Sequence, residues 1–208
     1  NDRGVQGKRK STMELQNDLT KDLNYNIDFK LQNLPNSNNL LNIKNYIYFH
    51  LKLANFKKLG WGYIELKKLL NEFLKYKENV IFTKDIETNE NLDQYKKDFN
   101  FIDFSNGEKI INKSKIYLYN NIGGYNLYNV INNSYRVVAF HGMMTNLATI
   151  NNNKVLDLFL CEINTSEDYQ RYRNAFYEFK PNYKEYDFIV PSKNFEKTLR
   201  KMRFSLKK

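Results

Sequence analysis

The strongest constraint on the fold of this chain is a change of texture past its midpoint. From Lys115 onward the sequence breaks into short aromatic and β-branched runs: "IYLYNN", "YNLYNVI", "YRVVAF", "VLDLFLCEI", "NAFYEF" and "YDFIVP". Val, Ile, Tyr and Phe suit the pleated, half-buried surface of a sheet, and the Asn, Gly and Pro residues between the runs supply turns. The second half is therefore expected to be mainly β, with a boundary near residue 113. Gly123-Gly124 reads as a turn, because a phosphate-cradling loop needs more glycines at set spacing. In "YRVVAFHGMMTNLATI", residues 135–150, a strand-like run stops at His141-Gly142 and an amphipathic stretch follows. That step is either the mouth of a ligand pocket or a plain turn.

The first half reads differently. Residues 1–10, "NDRGVQGKRK", are polar and basic without periodicity. They are expected to form an arm in which Lys8, Arg9 and Lys10 contact phosphates. Residues 36–58 are predicted helical, with Ser37 as N-cap and Leu40, Ile43, Ile47, Leu51 and Ala54 at helical spacing. "LGWGY" interrupts the pattern at Gly60 and Gly62, and "YIELKKLLNEFLKY" resumes it through Ile64, Leu66, Leu69, Leu70 and Phe73. Thr83 followed by Ile86 predicts a short capped helix within residues 80–95. Asn106-Gly107 inside "FNFIDFSNGEKI" predicts a hairpin. The tail places Phe195, Leu199, Met202 and Leu206 on one helical face, with Lys197, Arg200, Lys201 and Arg203 on the rest. Helices followed by a two-stranded wing are the layout of a winged helix. The expected organisation is α+β: a basic arm and lead-in at 1–35, a winged-helix-like lobe at 36–113, a β-rich lobe at 114–192 and a basic C-terminal helix at 193–208.

The formal net charge of +10 favours anionic partners, and nucleic acid ahead of lipid. No apolar run approaches the roughly 18 residues needed to span a bilayer. Residues 1–30 lack the apolar stretch of a signal peptide. Cys161 is the single cysteine, so neither an internal disulfide nor a zinc-finger spacing is available. The expectation is an intracellular protein, cytoplasmic or in an organelle matrix, with no membrane partner and no disulfide-linked partner.

The order of these segments resembles the RNA 2′-phosphotransferase (KptA) family. The family's first-lobe glycine and leucine segment corresponds to "GYIELKKLL", Gly62 to Leu70. Its Lys-x-x-Phe step and strand correspond to "KKDFNFIDFSNGEKI" through Lys97 and Phe99. Its strand and His-Gly-Thr step correspond to "VVAFHGMMTNLATI" through His141, Gly142 and Ile150, and its closing strands to "FYEFKPNYKEYDFIVPSKN". The likeness spans roughly residues 40–195. It implies a winged-helix lobe followed by an ADP-ribosyltransferase-like lobe, with NAD as acceptor for an RNA 2′-phosphate.

The family's phosphate-binding Arg and His set is largely missing from this chain. "YFHLK" keeps His50 without a preceding Arg. "INKSKIYLYNN" and "NNNKVLDLFL" hold neither Arg nor His. Met143 stands for the family's Thr, and only Arg171 or Arg173 could replace a lost guanidinium. Losing one such contact costs about 10²–10³ in rate. The resemblance therefore implies a non-catalytic RNA-binding protein with no catalytic residue and no cofactor. Its vestigial nucleotide pocket is His50, His141 and Gly142, with His141 a buried structural histidine. RNA contacts are assigned to Lys57, Lys58, Lys67, Lys68, Arg136, Arg171, Arg173, Arg200, Lys201 and Arg203 beside the basic arm. The expected partner is ribosomal RNA, with ribosomal proteins as further contacts, and the expected role a ribosome-associated dormancy factor. The alternatives are an active NAD-dependent phosphotransferase, a structural ribosomal protein, and a magnesium-dependent nuclease using Asp157 and Glu162, for which Asn164 occupies the lysine slot.

Overall fold

Tyr46–Leu51 reads "YIYFHL", with large aliphatic or aromatic residues on both faces, and five of its six residues are buried. A run covered on both faces is what a central parallel strand requires. In the computed structural model this segment is β1, the middle of the sheet. The structure describes residues 43–85, 91–111, 114–151, 153–160 and 186–207. All of them lie in one compact unit formed by Asn36–Cys161 and Lys184–Lys208.

The elements follow in chain order as β1 (Tyr46–Leu51), α1 (Leu53–Leu59), α2 (Tyr63–Phe73), β2 (Asn79–Lys84), α3 (Asp93–Asp98), β3 (Asn100–Asp103), β4 (Lys109–Ile110), β5 (Ile116–Asn120), α4 (Gly124–Asn132), β6 (Arg136–Phe140), α5 (Met143–Ile150), β7 (Lys154–Leu158), β8 (Tyr186–Ile189) and α6 (Phe195–Leu206). The strands form one eight-stranded sheet in the order β4-β3-β5-β2-β1-β6-β7-β8. Every pairing is parallel except β3 with β4. With the β3–β4 hairpin set aside, the order is the 3-2-1-4-5-6 of a doubly wound α/β sheet. The direction of winding reverses between β1 and β6.

The two faces differ in chemistry. Ile47, Phe49 and Leu51 of β1, Val80 and Phe82 of β2, and Val138 and Phe140 of β6 meet apolar residues of α1, α2, α3 and α6 in one cluster. Phe56, Trp61 and Phe195 lock edge to face within it, at centroid distances of 5.3 and 5.1 Å. The alternate residues, Tyr46, Tyr48, Thr83, Tyr119, Asp157 and Tyr186, are also buried, but they put hydroxyls and a carboxylate on the opposite face. Tyr46 Oη on that face donates to Val130 O of α4 at 2.7 Å.

This architecture corrects the winged-helix and ADP-ribosyltransferase expectation. The predicted helix over 36–58 is broken by a strand at Tyr46–Leu51, and its Ser37 cap and Leu40 lie outside the described residues. A 3.6 period runs through Ile47 and Leu51, but aromatic and β-branched enrichment over Tyr46–Leu51 marks a strand, and tertiary burial on both faces decides it. Thr83 likewise lies in β2 rather than capping a helix, and Ile86 is outside the described residues. The Asn106-Gly107 hairpin does form, with Gly107 at φ 72°. It joins the sheet edge through β3 and β5 instead of making a wing. The C-terminal helix forms as expected and buries Phe195, Leu199, Met202 and Leu206.

Candidate functional site

In a doubly wound sheet the crevice for a ligand opens at the carboxyl ends of the strands, where the winding reverses. Here that is the tip of β1 and β6. The chain has two histidines, and the fold brings both to this point. His50 lies on β1, paired with Thr83 of β2 and Ala139 of β6. His141 follows Ala139 by two residues, and its backbone N–H still bonds Leu158 O of β7 at 3.1 Å. Both side chains belong to the polar face. The Cα positions of His50 and His141 are about 8 Å apart, from one strand spacing across and two residues along.

His141 Nδ1 is 2.7 Å from Asp157 Oδ2. Asp157, on β7, is fully buried, whereas a third of the His141 side chain is exposed. Tyr186 Oη of β8 donates to the same Oδ2 at 2.6 Å. An ionised carboxylate only accepts, so Nδ1 of His141 carries a proton and donates it. That fixes the tautomer in which Nε2 is the basic nitrogen. The Phe159 ring stands edge-on to the imidazole at 5.0 Å and limits its rotation. Gly142 follows at φ 153° and ψ −151°, a region essentially reserved for glycine, and turns the chain into α5.

His50 is arranged the other way round. Its side chain is 13% exposed and that of its partner Asp85, just past β2, is 40% exposed. Nε2 lies 3.2 Å from Asp85 Oδ1, Nδ1 lies 2.9 Å from Thr83 Oγ1, and Thr83 Oγ1 lies 2.7 Å from Tyr48 Oη. With Asp85 accepting, one assignment satisfies every atom: Tyr48 donates to Thr83, Thr83 to His50, and His50 to Asp85. Burial holds His50 below the ordinary histidine range; Asp85 pulls the other way and does not overcome it.

The remaining sequence-predicted site residues are scattered. Arg136 is buried, and its guanidinium donates to Ser205 O of α6 at 2.7 Å. Lys57 and Lys58 close the last turn of α1, where they complement its dipole. Lys67 pairs with Asp98 at 3.0 Å, Lys68 with Glu196 at 3.8 Å, and Arg203 with Glu72 at 2.8 Å. These three cations line a groove of about 590 Å3 between the helices, together with their acidic partners. Arg200 and Lys201 are exposed on α6. Lys8, Arg9, Lys10, Arg171 and Arg173 lie outside the described residues, as do Cys161, Glu162 and Asn164.

Asp157, considered above as a magnesium ligand, is instead engaged by His141 and Tyr186. No group of three His, Cys, Asp or Glu able to hold a metal occurs among the described residues. After β1 the chain reads Lys52-Leu53-Ala54, so the glycine-rich turn of a dinucleotide site is absent there. The His141 side chain is a third exposed rather than buried. Sequence reasoning missed Asp85, Thr83, Tyr48 and Tyr186. An acid two residues after the strand-like run "VIFT" was the one available signal, and only the strand order shows which residues share a rim. No helix among the described residues is long and apolar enough to cross a membrane.

No protein-family model matches the chain, and no curated protein does. Among solved structures it is similar to a proposed UDP-N-acetylglucosamine 2-epimerase from Listeria monocytogenes, at 14% identity over 79% of this chain and 36% of that one, TM-score 0.45. It is also similar to the glycosyltransferase SnogD from Streptomyces nogalater, at 12% identity over 88% of this chain and 44% of that one, TM-score 0.42. This chain therefore spans less than half the length of either, and likeness at this level carries no functional argument. Neither structure is an RNA 2′-phosphotransferase. That resemblance fails on the sheet topology and has no family match behind it. The ribosome-associated RNA-binding role and its phosphotransferase alternative were drawn on a fold this chain does not have, and they fall with it; nothing in the fold or the comparisons supports the structural ribosomal or nuclease alternatives, and the nuclease pair needs Glu162, which lies outside the described residues.

Proposed function

We propose that the crevice at the tips of β1 and β6 is the active site of a proton-transfer enzyme acting on a small molecule, with His141 as the group that moves the proton. Asp157 is its positioning residue. It holds the ring in one tautomer and compensates the positive charge that appears when Nε2 takes a proton from substrate. Tyr186 holds Asp157 in turn. Nothing in this reading calls on a nucleotide cofactor, because the working groups are side chains. The observation that carries it is the His141–Asp157–Tyr186 relay of 2.7 and 2.6 Å, which runs from a partly exposed imidazole to a fully buried carboxylate.

The test is incubation of the purified protein with a small-metabolite extract in D2O, followed by mass spectrometry for deuterium uptake or conversion. The wild-type protein is expected to label or convert at least one metabolite. His141→Gln should slow that reaction by about 10²–10⁴-fold. A wild-type protein that changes no metabolite, or a His141→Gln variant as active as wild type, overturns the proposal.

A further inference from the structure

Lys52 stands in the middle of the rim. It directly follows β1 and lies two residues past His50. Thr83 and Ala139 both pair with His50, so Lys52 is level with Asp85 on one side and with His141 on the other. One strand spacing, about 5 Å between Cα atoms, separates it from each. Its backbone is still extended, at φ −95° and ψ 97°, so its side chain keeps the alternation of β1 and leaves on the polar face with His50. Burial lowers the His50 pKa, and the nearby Lys52 ammonium adds to that lowering. The acids on either side are turned elsewhere: Asp85 to His50, and Asp157 to His141 and Tyr186. Lys84, another cation at these strand ends, reaches the Asp85 carbonyl at 3.5 Å. Lys52 is half-buried, yet its ammonium makes no hydrogen bond or ion pair among the described residues.

Stability does not explain a lysine at this position. Lys52 is the N-cap of α1, where Ser, Thr, Asp or Asn would bond a free N–H. Its side chain makes no cap, no acid lies in the first turn, and its charge faces the positive end of the helix dipole. A residue that breaks the local rule at the rim of a crevice is where function is expected. An unpaired ammonium takes an anionic oxygen, and the base one strand away, His141, needs an acidic hydrogen. A 2-oxo acid supplies both. Its carboxylate answers the resting ammonium, and the carbonyl beside it acidifies the hydrogens on C3. When a C3–H bond breaks, the proton goes to His141 Nε2 and the electron pair moves through the carbonyl, leaving its charge on the oxygen. Asp85 repels that oxygen and confines it to the His141 side of Lys52. We infer that Lys52 binds the oxygens of a small 2-oxo acid and stabilises the enolate formed when His141 removes its C3 proton. This inference rests on the proton-transfer reading and adds the substrate class and a second catalytic residue to it.

Because Lys52 bears on His50, an anion on its ammonium should shift the His50 C2–H resonance in proton NMR. The chain has two histidines, so the His141→Gln spectrum assigns that resonance. The probe is 2-oxobutanoate, with butanone as the uncharged control and sodium chloride at equal ionic strength as the salt control. In the wild-type protein 2-oxobutanoate should shift the resonance saturably and bind at least about tenfold more tightly than butanone. Lys52→Gln should weaken that binding about tenfold or more, whereas Lys52→Arg and His141→Gln should bind within about threefold of wild type. In D2O the C3 hydrogens of 2-oxobutanoate should exchange faster than in protein-free buffer, and Lys52→Gln should slow that exchange by about 10²–10³-fold. Thermal melts of the variants establish that they fold. No saturable shift, a shift matched by chloride, or undiminished binding by Lys52→Gln each overturns the inference. Binding that depends on Lys52 alongside a failed D2O assay sinks the proton-transfer reading and its enolate step, and leaves the Lys52 anion site standing. Labelling of a metabolite at a rate indifferent to Lys52→Gln sinks the Lys52 assignment alone.

Discussion

Three tyrosines on the polar face of the sheet differ only in what their hydroxyls meet. Tyr186 donates to the buried Asp157 carboxylate at 2.6 Å. Tyr46 donates to the neutral carbonyl of Val130 at 2.7 Å. Tyr119 Oη is buried and has no hydrogen-bond partner among the described residues. All three side chains are at most 3% exposed. Burial pushes the phenols of Tyr46 and Tyr119 above the ordinary tyrosine range, so ionisation does not confuse the comparison. Tyr→Phe removes one oxygen and little volume. A bond to a charged acceptor contributes about 1.5–3 kcal/mol and a neutral one about 1 kcal/mol, while deleting an unpaired buried hydroxyl is neutral or stabilising. In a chain of this size each kcal/mol moves Tm by about 2–4 °C. Tyr186→Phe should therefore lower Tm by about 4–8 °C and Tyr46→Phe by about 2–4 °C, and Tyr119→Phe should leave it unchanged or raise it. Differential scanning calorimetry of the three variants is sufficient. A Tyr119→Phe loss as large as that of Tyr186→Phe would refute the hydroxyl assignments on this face.

Further outcomes follow from the strand tips. Because folding holds His50 below its unfolded value, the unfolded chain binds more protons near pH 6. Its contribution is fully present above about pH 6.5 and is lost as pH falls through the folded value. Urea melts between pH 7.5 and 5 should show that loss, and His50→Gln should flatten it. At Asp103, burial pushes the carboxyl up, but hydrogen bonds from Ser105, Asn120 and Asn121 outweigh it and hold the group at about 2. Asp103→Ala should cost about 2 kcal/mol at pH 7, and the difference from wild type should shrink as pH falls from about 4 toward 2. Gly142→Ala meets no atom within 4 Å, so its cost is backbone strain alone, about 1–3 kcal/mol, read by chemical denaturation.

Local signals in the sequence were readable where one interaction decides the outcome. The Asn106-Gly107 turn, the second amphipathic helix and the apolar stripe of the last helix each follow from neighbours a few residues apart. The centre of the sheet did not follow that way. Tyr46–Leu51 carries large aliphatic or aromatic residues on both faces, so its periodicity is ambiguous, and only burial between two helical layers makes it a strand. The pairing of β1 with β6 joins residues about ninety positions apart, and no local pattern encodes it. The candidate site inherits that difficulty. His50 and His141 are conspicuous as the chain's two histidines, but Asp85 and Tyr186 become site residues only through strand order. The excess of basic residues misled for a related reason. Composition counts Arg136 as surface charge, whereas the fold buries its guanidinium against the last helix.

A histidine at a strand end can serve stability alone, and the two histidines here separate that case from the other. His50 is nearly buried and both its ring nitrogens are bonded, as a structural residue would be. His141 keeps a third of its side chain in solvent and is held by a carboxylate with no exposed surface. Moving that carboxylate out of water costs several kcal/mol, and its Oδ1 has no hydrogen-bond partner among the described residues. Stability alone favours an apolar side chain at position 157. Asp157→Leu combined with Tyr186→Phe removes the buried charge and the hydroxyl that answers it. If the relay serves chemistry, the double variant should be as stable as wild type within about 1 kcal/mol, or more stable. The same variant should lose the D2O-detected reaction by at least about 10²-fold, because the imidazole is then no longer held in one tautomer. A double variant that unfolds by more than about 3 kcal/mol and retains the reaction would make Asp157 a structural residue.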